Sequence, residues 1–127
     1  MKKNKSFLKI SILQMQSKTN HQDNIKTIEI AAKKAKDTDL LVLPEYSGLL
    51  DKNVAEVRKS ITTKTRDPFI KACCYLAKAY NLWIHIGSTP IKSGEKILNH
   101  SALINNHGLI VASYDKIHMF DIFPVDR

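Results

Sequence analysis

The sequence predicts an α/β fold in which helices pack against a sheet. Three apolar segments have the length and composition of strands, at residues 7–15, 40–43 and 82–88. Between them lie segments whose apolar residues recur at helical spacing. Two further apolar runs flank the letters "NNHG", which predicts a β-hairpin after the third strand. A chain of 127 residues suits one domain with a real core.

The first helix follows the first strand. Asn20 is suited to be its N-cap, and Asp23 stands three residues later, as in a variant of the capping box. Apolar residues then recur at helical spacing and predict the buried face, at Ile25, Ile28, Ala32 and Ala35.

A second strong helix begins at Asp67, which can cap it, with Pro68 at the first helical position. One predicted face is apolar and consists of Phe69, Cys73, Leu76 and Tyr80. Residues 51–65 are weakly amphipathic, and their pattern fits either helix or loop.

The second predicted strand has no polar alternation. The letters "LLVL" form a continuous apolar run between Asp39 and Pro44, which is typical of a buried strand that ends at the proline. We expect the third strand to end near Gly87, ahead of Pro90, and the hairpin to join residues 98–104 to 109–114 through a turn containing Gly108.

The formal net charge is +8, and the lysines that produce it are scattered along the chain. Without a block of five like charges, the pattern favours a solvated surface over a nucleic-acid partner. No segment reaches the ~18 apolar residues of a membrane span, and the basic start has no signal-peptide pattern. Cys73 and Cys74 are adjacent and close no loop, so we expect reduced thiols and a cytoplasmic protein.

Two charged residues follow predicted strands and are candidates for chemistry. Glu45 comes directly after a buried strand, where reactive groups gather in α/β sheets and apolar neighbours disfavour the charged form, as suits a general base. Lys116 follows the last hairpin strand, where a cation could stabilise negative charge on a substrate oxygen. Position alone favours plainer interpretations of both residues. Glu45 would be a solvated loop carboxylate or a cap, and Lys116 would be one more surface lysine.

Other candidates have weaker support. Cys73 and Cys74 lie within a predicted helix, which favours packing over nucleophilic chemistry. His118 is expected to be a packed, hydrogen-bonded histidine. Asp115 and Asp121 flank Lys116 and could be ion-pair partners, although nothing in the sequence distinguishes them from surface acids.

Two motifs together resemble a known family. "DLLVLPEYSG" resembles the first signature of the carbon–nitrogen hydrolase (nitrilase/amidase) superfamily, and "YDKIHMFD" resembles its lysine segment. The opening "ISILQMQ" and the Gly-Ser strand and hairpin between the motifs also fit, so the resemblance spans about residues 9–122. It implies half of an α-β-β-α sandwich, a mixed sheet with helices on one face. It also implies that Glu45 is the general base and that Lys116 stabilises the tetrahedral intermediate, with no metal or organic cofactor.

The family's cysteine nucleophile follows its lysine, whereas Cys73 and Cys74 precede Lys116. We therefore expect residues 1–127 to form a single, incomplete hydrolase domain that is inactive alone and exposes apolar sheet surface. The implied partners are a small-molecule amide or nitrile, and a C-terminal half or a second copy in a homo-oligomer. The alternative hypothesis is a non-catalytic remnant that acts as a binding or interaction module.

Overall fold

A computed structural model describes residues 6–116 of the chain. These residues form a mixed five-stranded sheet in the order β1-β2-β3-β4-β5. The first three strands are parallel, and β3, β4 and β5 are antiparallel neighbours. The strands are β1 Ile10–Ile12, β2 Leu40–Val42, β3 Trp83–Ser93, β4 Lys96–Ile104 and β5 Ile110–Asp115, and the helices are α1 His21–Lys34, α2 Val54–Ser60 and α3 Pro68–Ala79. The predicted α/β class and the mixed sheet are confirmed.

Side-chain caps define where the two longer helices begin. The Asn20 side chain accepts a hydrogen bond from the Asp23 N–H at 2.9 Å, as the sequence predicts for α1. Asp67 caps α3 by accepting from the Ile70 N–H at 2.8 Å, and Pro68 occupies the first turn. The ambiguous segment contains the seven-residue α2, which is capped by Asn53.

Helices α1 and α3 cover one face of the sheet. Their predicted apolar faces pack against alternate residues of β2, β3 and β4, with Ile25 and Tyr80 only partly buried. The members of this core include Ile28, Ala32, Phe69, Cys73, Leu41, Ile84, Ile86, Ala102 and Ile104. Burial of such side chains supplies most of the driving force for folding.

The opposite sheet face is less well covered. Ile12, on β1, keeps 77% of its surface exposed, and its neighbour two residues earlier, Ile10, is exposed too. Their register partners on β2 and β3 are half-buried, at Leu40, Val42, Trp83 and His85. The described residues therefore have helices on one face and exposed apolar side chains on the other, as expected for half of a sandwich.

Strand β3 is longer than the sequence predicted. It continues past Gly87 to Ser93 and turns through Gly94, with φ of 59°, into β4. The register shifts between Ile86 and Thr89, and Pro90 follows this irregularity. A proline is tolerated in a sheet at a bulge, so the predicted strand end near Gly87 was wrong.

Candidate active site

The segment that carries Glu45 runs alongside β3. The Leu43 N–H donates to the His85 carbonyl at 2.9 Å, and the Gly87 N–H donates to the Leu43 carbonyl at 3.1 Å. The Ser88 N–H then donates to the Pro44 carbonyl at 3.3 Å. Parallel backbone pairing therefore continues through Pro44, and it places Glu45 beside the middle of β3.

This close approach requires a glycine at position 87. A Cβ there would lie 2.4 Å from the Leu43 oxygen and 2.6 Å from the Pro44 carbonyl carbon. Both are backbone atoms, which cannot rotate away as the end of a side chain could. Gly87 thus allows the segment before Glu45 to pack directly on β3.

The chain turns immediately after Glu45. Tyr46 has a φ of 53°, in the left-handed region that few non-glycine residues adopt. Its N–H donates to the Ser88 hydroxyl at 2.8 Å, and the Ser47 N–H donates to the Ser88 carbonyl at 2.9 Å. Ser88 therefore holds the turn with both its side chain and its backbone.

A buried amide anchors the far side of the same loop. The Asn24 side chain, on α1, donates to the Gly48 carbonyl at 2.9 Å and to the Lys18 carbonyl at 3.0 Å. It also accepts from the Lys18 N–H at 2.8 Å. The loop from Glu45 to Gly48 is thus fixed between β3 and the first helix.

Lys116 contacts Glu45, although the two residues are far apart in the sequence. The Lys116 Nζ donates to Glu45 Oε1, although 71 residues separate the two along the chain. The Lys116 N–H also donates to the Asn99 carbonyl at 3.1 Å, which extends the pairing of β5 with β4. The structure therefore brings together the two residues that the sequence analysis selected.

The environment of Glu45 differs from the sequence-based expectation. Its side chain is 56% exposed and that of Lys116 is 31% exposed, so the pair is open to solvent in the described part of the chain. Leu43 is buried in the core, but Glu45 lies at the turn that follows Pro44. Within residues 6–116, the apolar sequence neighbours therefore do not desolvate this carboxylate, in contrast to the expectation.

Tyr46 is a member of the site that sequence reasoning missed. Burial raises the pKa of its phenol, and the charge of Glu45 raises it further while Lys116 lowers it. The hydroxyl is buried, and within residues 6–116 it has no hydrogen-bond partner. The sequence signal for Tyr46 was its place directly after Glu45 in the motif "DLLVLPEYSG". Only the fold shows that the Tyr46 ring lies beside the ion pair of Glu45 and Lys116.

The two cysteines lie elsewhere. Cys73 is fully buried between α3 and the sheet, and burial raises the pKa of its thiol well above the usual range. Burial also raises the pKa of Cys74, whose carbonyl packs beside Gly108 in the turn between β4 and β5. That turn lies at the opposite end of the hairpin from Lys116, so the packing interpretation of both cysteines agrees with their positions.

The remaining candidates have different outcomes. Asp115 is paired with His100, because 2.7 Å separates Asp115 Oδ1 from His100 Nδ1. His118 and Asp121 lie outside the described residues.

Among residues 6–116, no group of three or more His, Cys, Asp or Glu side chains could hold a metal ion. Within the same range no helix is long and apolar enough to cross a membrane.

Comparison with known proteins supports a family assignment. The family model described as carbon–nitrogen hydrolase matches residues 9–127. The deaminated glutathione amidase of Yersinia enterocolitica is 34% identical over 116 residues, which are 89% of this chain and 41% of that protein. The Drosophila melanogaster nitrilase and fragile histidine triad fusion protein is 28% identical, over 89% of this chain and 25% of its own length. The chain thus spans less than half the length of these curated relatives.

Solved structures show the same fold. An amidase from Nesterenkonia sp. AN1 superposes with a TM-score of 0.77 at 20% identity, over 90% of this chain and 46% of the amidase. That amidase is a glutamate-to-glutamine variant that carries acrylamide added at its active-site cysteine. An N-terminal amidase superposes with a TM-score of 0.76 at 18% identity, over 91% of this chain and 29% of its own.

Proposed function

Because this chain belongs to the carbon–nitrogen hydrolase family, we propose that it supplies the base and the cation of an amide-hydrolysing site. The observation that carries the proposal is the contact between Lys116 Nζ and Glu45 Oε1. Two residues 71 positions apart meet beside the middle of β3, where Glu45 follows the segment that pairs with β3 and Lys116 follows β5. An acid and an amine in this arrangement can act on one reacting centre.

The proposed chemistry assigns one role to each group. Glu45 accepts the proton of a cysteine thiol as the sulfur attacks the amide carbon, and Lys116 stabilises the oxyanion that forms. The protonated Glu45 then gives its proton to the departing amine, which leaves a thioester. Water attacks the thioester with Glu45 again accepting a proton, and the acid product and the thiol are released.

The thiol must come from residues other than Cys73 and Cys74. Cys73 is buried in the core, and Cys74 lies near the turn at the far end of the β4–β5 hairpin. Loss of the nucleophile from a cooperating catalytic group can reduce the rate about a million-fold. We therefore propose that these 127 residues alone do not hydrolyse amides. A C-terminal half that covers the exposed sheet face, around Ile10 and Ile12, would supply the thiol.

The relatives suggest the class of substrate. Proteins named deaminated glutathione amidase from Yersinia enterocolitica, Dictyostelium discoideum and Mus musculus are all similar to this chain. We therefore propose a small-molecule amide as substrate, with deaminated glutathione as the first compound to test.

The test transplants this chain into an active relative. In a chimera, residues 9–127 replace the matched part of the Yersinia amidase, which keeps the rest of its own sequence. We expect the chimera to hydrolyse deaminated glutathione, and Glu45→Gln or Lys116→Met to lower kcat/KM by about a thousand-fold or more.

The chain contains a matched control pair. Glu56 and Lys59 form an exposed ion pair on α2, with Lys59 Nζ 3.3 Å from Glu56 Oε1. Glu56→Gln and Lys59→Met should leave kcat/KM unchanged. A chimera that stays active with Glu45→Gln would refute the assigned base. A folded but inactive chimera would favour the alternative, a non-catalytic binding module.

A further inference from the structure

Strand β5 has few apolar contacts to fix its register. It pairs with β4 only, among the described strands, and its side chains from Ile110 to Tyr114 are all exposed. The β4–β5 register also shifts between Leu103 and Ile104, near the turn. A strand without a buried face is weakly specified in its pairing, and a slip by one residue moves every side chain to the other face.

A partly buried contact lies at the end of β5. His100 on β4 is 3% exposed, and its Nδ1 lies 2.7 Å from Oδ1 of Asp115, which is 41% exposed. The two residues are direct register partners across the strands. His100 belongs to the helix-covered side of β4, where Ala102 and Ile104 are also buried. Asp115 is thereby held toward that face.

The position of Asp115 determines the direction of the Lys116 side chain. Side chains alternate along a strand, so an Asp115 held toward the helices directs Lys116 toward the opposite side. The backbone agrees, because the Lys116 N–H continues the ladder by donating to the Asn99 carbonyl at 3.1 Å. We propose that the hydrogen-bonded pair of His100 and Asp115 is a positioning device that fixes the register of β5 and so brings Lys116 to Glu45.

The inference rests on the proposed role of Lys116, but it can be tested without catalysis. A carbodiimide joins a carboxylate to an amine only when the two are in contact, and mass spectrometry measures the yield of the Glu45–Lys116 crosslink in the purified chain. The crosslink of Glu56 to Lys59, on α2, is the internal reference because its atoms are 3.3 Å apart and distant in sequence from β5.

Two substitutions separate the hydrogen bond from the charge. Asp115→Ala and Asp115→Asn both remove the carboxylate, but only asparagine keeps an acceptor for the His100 ring. We expect Asp115→Ala to lower the Glu45–Lys116 yield about tenfold relative to the reference crosslink. Asp115→Asn should keep most of the wild-type yield.

A control and a second measurement accompany these variants. Ser113→Ala changes an exposed residue two positions earlier on β5 and should leave the yield unchanged. Amide hydrogen exchange should become faster in β5 for Asp115→Ala and stay unchanged in β2 and β3. An Asp115→Ala yield equal to that of Ser113→Ala would overturn the proposal, and so would equal losses with alanine and asparagine. Neither result bears on the chimera assay, so failure of the two proposals can be told apart.

Discussion

The substitution Gly87→Ala tests whether close backbone packing positions Glu45. The added methyl group would lie 2.4 Å from the Leu43 oxygen and 2.7 Å from the Pro44 oxygen. Ordinary contact begins near 3.4 Å, so the strand segment must move by about 1 Å. Such a movement lengthens the hydrogen bonds that Gly87 and Ser88 donate to this segment.

The expected cost follows from these contacts. Overpacking a close-packed site costs about 1–3 kcal/mol, and each weakened backbone hydrogen bond adds up to about 1 kcal/mol. The smaller conformational entropy of alanine in the unfolded chain offsets about 0.5 kcal/mol. We therefore expect a loss of about 3 kcal/mol in the free energy of unfolding, which for a domain of this length lowers Tm by about 10 °C.

Thermal unfolding followed by circular dichroism measures this loss, and Gly94→Ala is the matched control. Gly94 has a φ of 59° and nothing within 4 Å of an added Cβ, so alanine there costs only the backbone strain of about 1–2 kcal/mol. The Glu45–Lys116 crosslink should weaken with Gly87→Ala and persist with Gly94→Ala. A Tm for Gly87→Ala within about 2 °C of the wild type would refute the packing argument.

Two further predictions concern buried groups outside the site. Burial lowers the pKa of His21 from 6.5, although Asp67 at 3.6 Å opposes the shift. Near pH 6, the unfolded chain therefore binds a proton at this histidine that the folded chain does not bind. Stability should therefore fall from about pH 7.5 to about pH 6, and His21→Gln should flatten this slope in a Tm–pH series; an unchanged slope would contradict the prediction. Burial raises the pKa of both thiols, so a disulfide reagent should detect at most Cys74 in the native chain, and Cys73 only after unfolding. Rapid native modification of Cys73 would contradict its placement in the core.

Features set by local interactions were predictable from the sequence. The caps Asn20 and Asp67 act on residues three positions away, and the structure contains both hydrogen bonds. The apolar face of α3 was predictable for the same reason, because helical spacing decides which side chains share a face. The hairpin of β4 and β5 follows from its turn residues, and Gly108 adopts the positive φ that this turn requires.

Features that depend on distant contacts were not predictable in this way. Position alone favoured plain surface interpretations of Glu45 and Lys116, and only the paired motifs selected them. The third strand was predicted to end near Gly87, ahead of Pro90, because the register shift that accommodates this proline requires β4 as a partner. Ser88 holds a loop that lies 41 residues earlier in the chain, and no local sequence pattern predicts this contact.

The left-handed backbone at Tyr46 restricts which amino acids that position can hold. A β-branched side chain there would clash with its own main chain, whereas glycine or asparagine would fit without strain. Neither glycine nor asparagine would place a ring beside Glu45 and Lys116. The residues that best fit the backbone conformation are therefore not the ones that supply an aromatic group. Tyrosine at this position therefore keeps a ring beside Glu45 and Lys116 at a cost of about 1 kcal/mol in backbone energy.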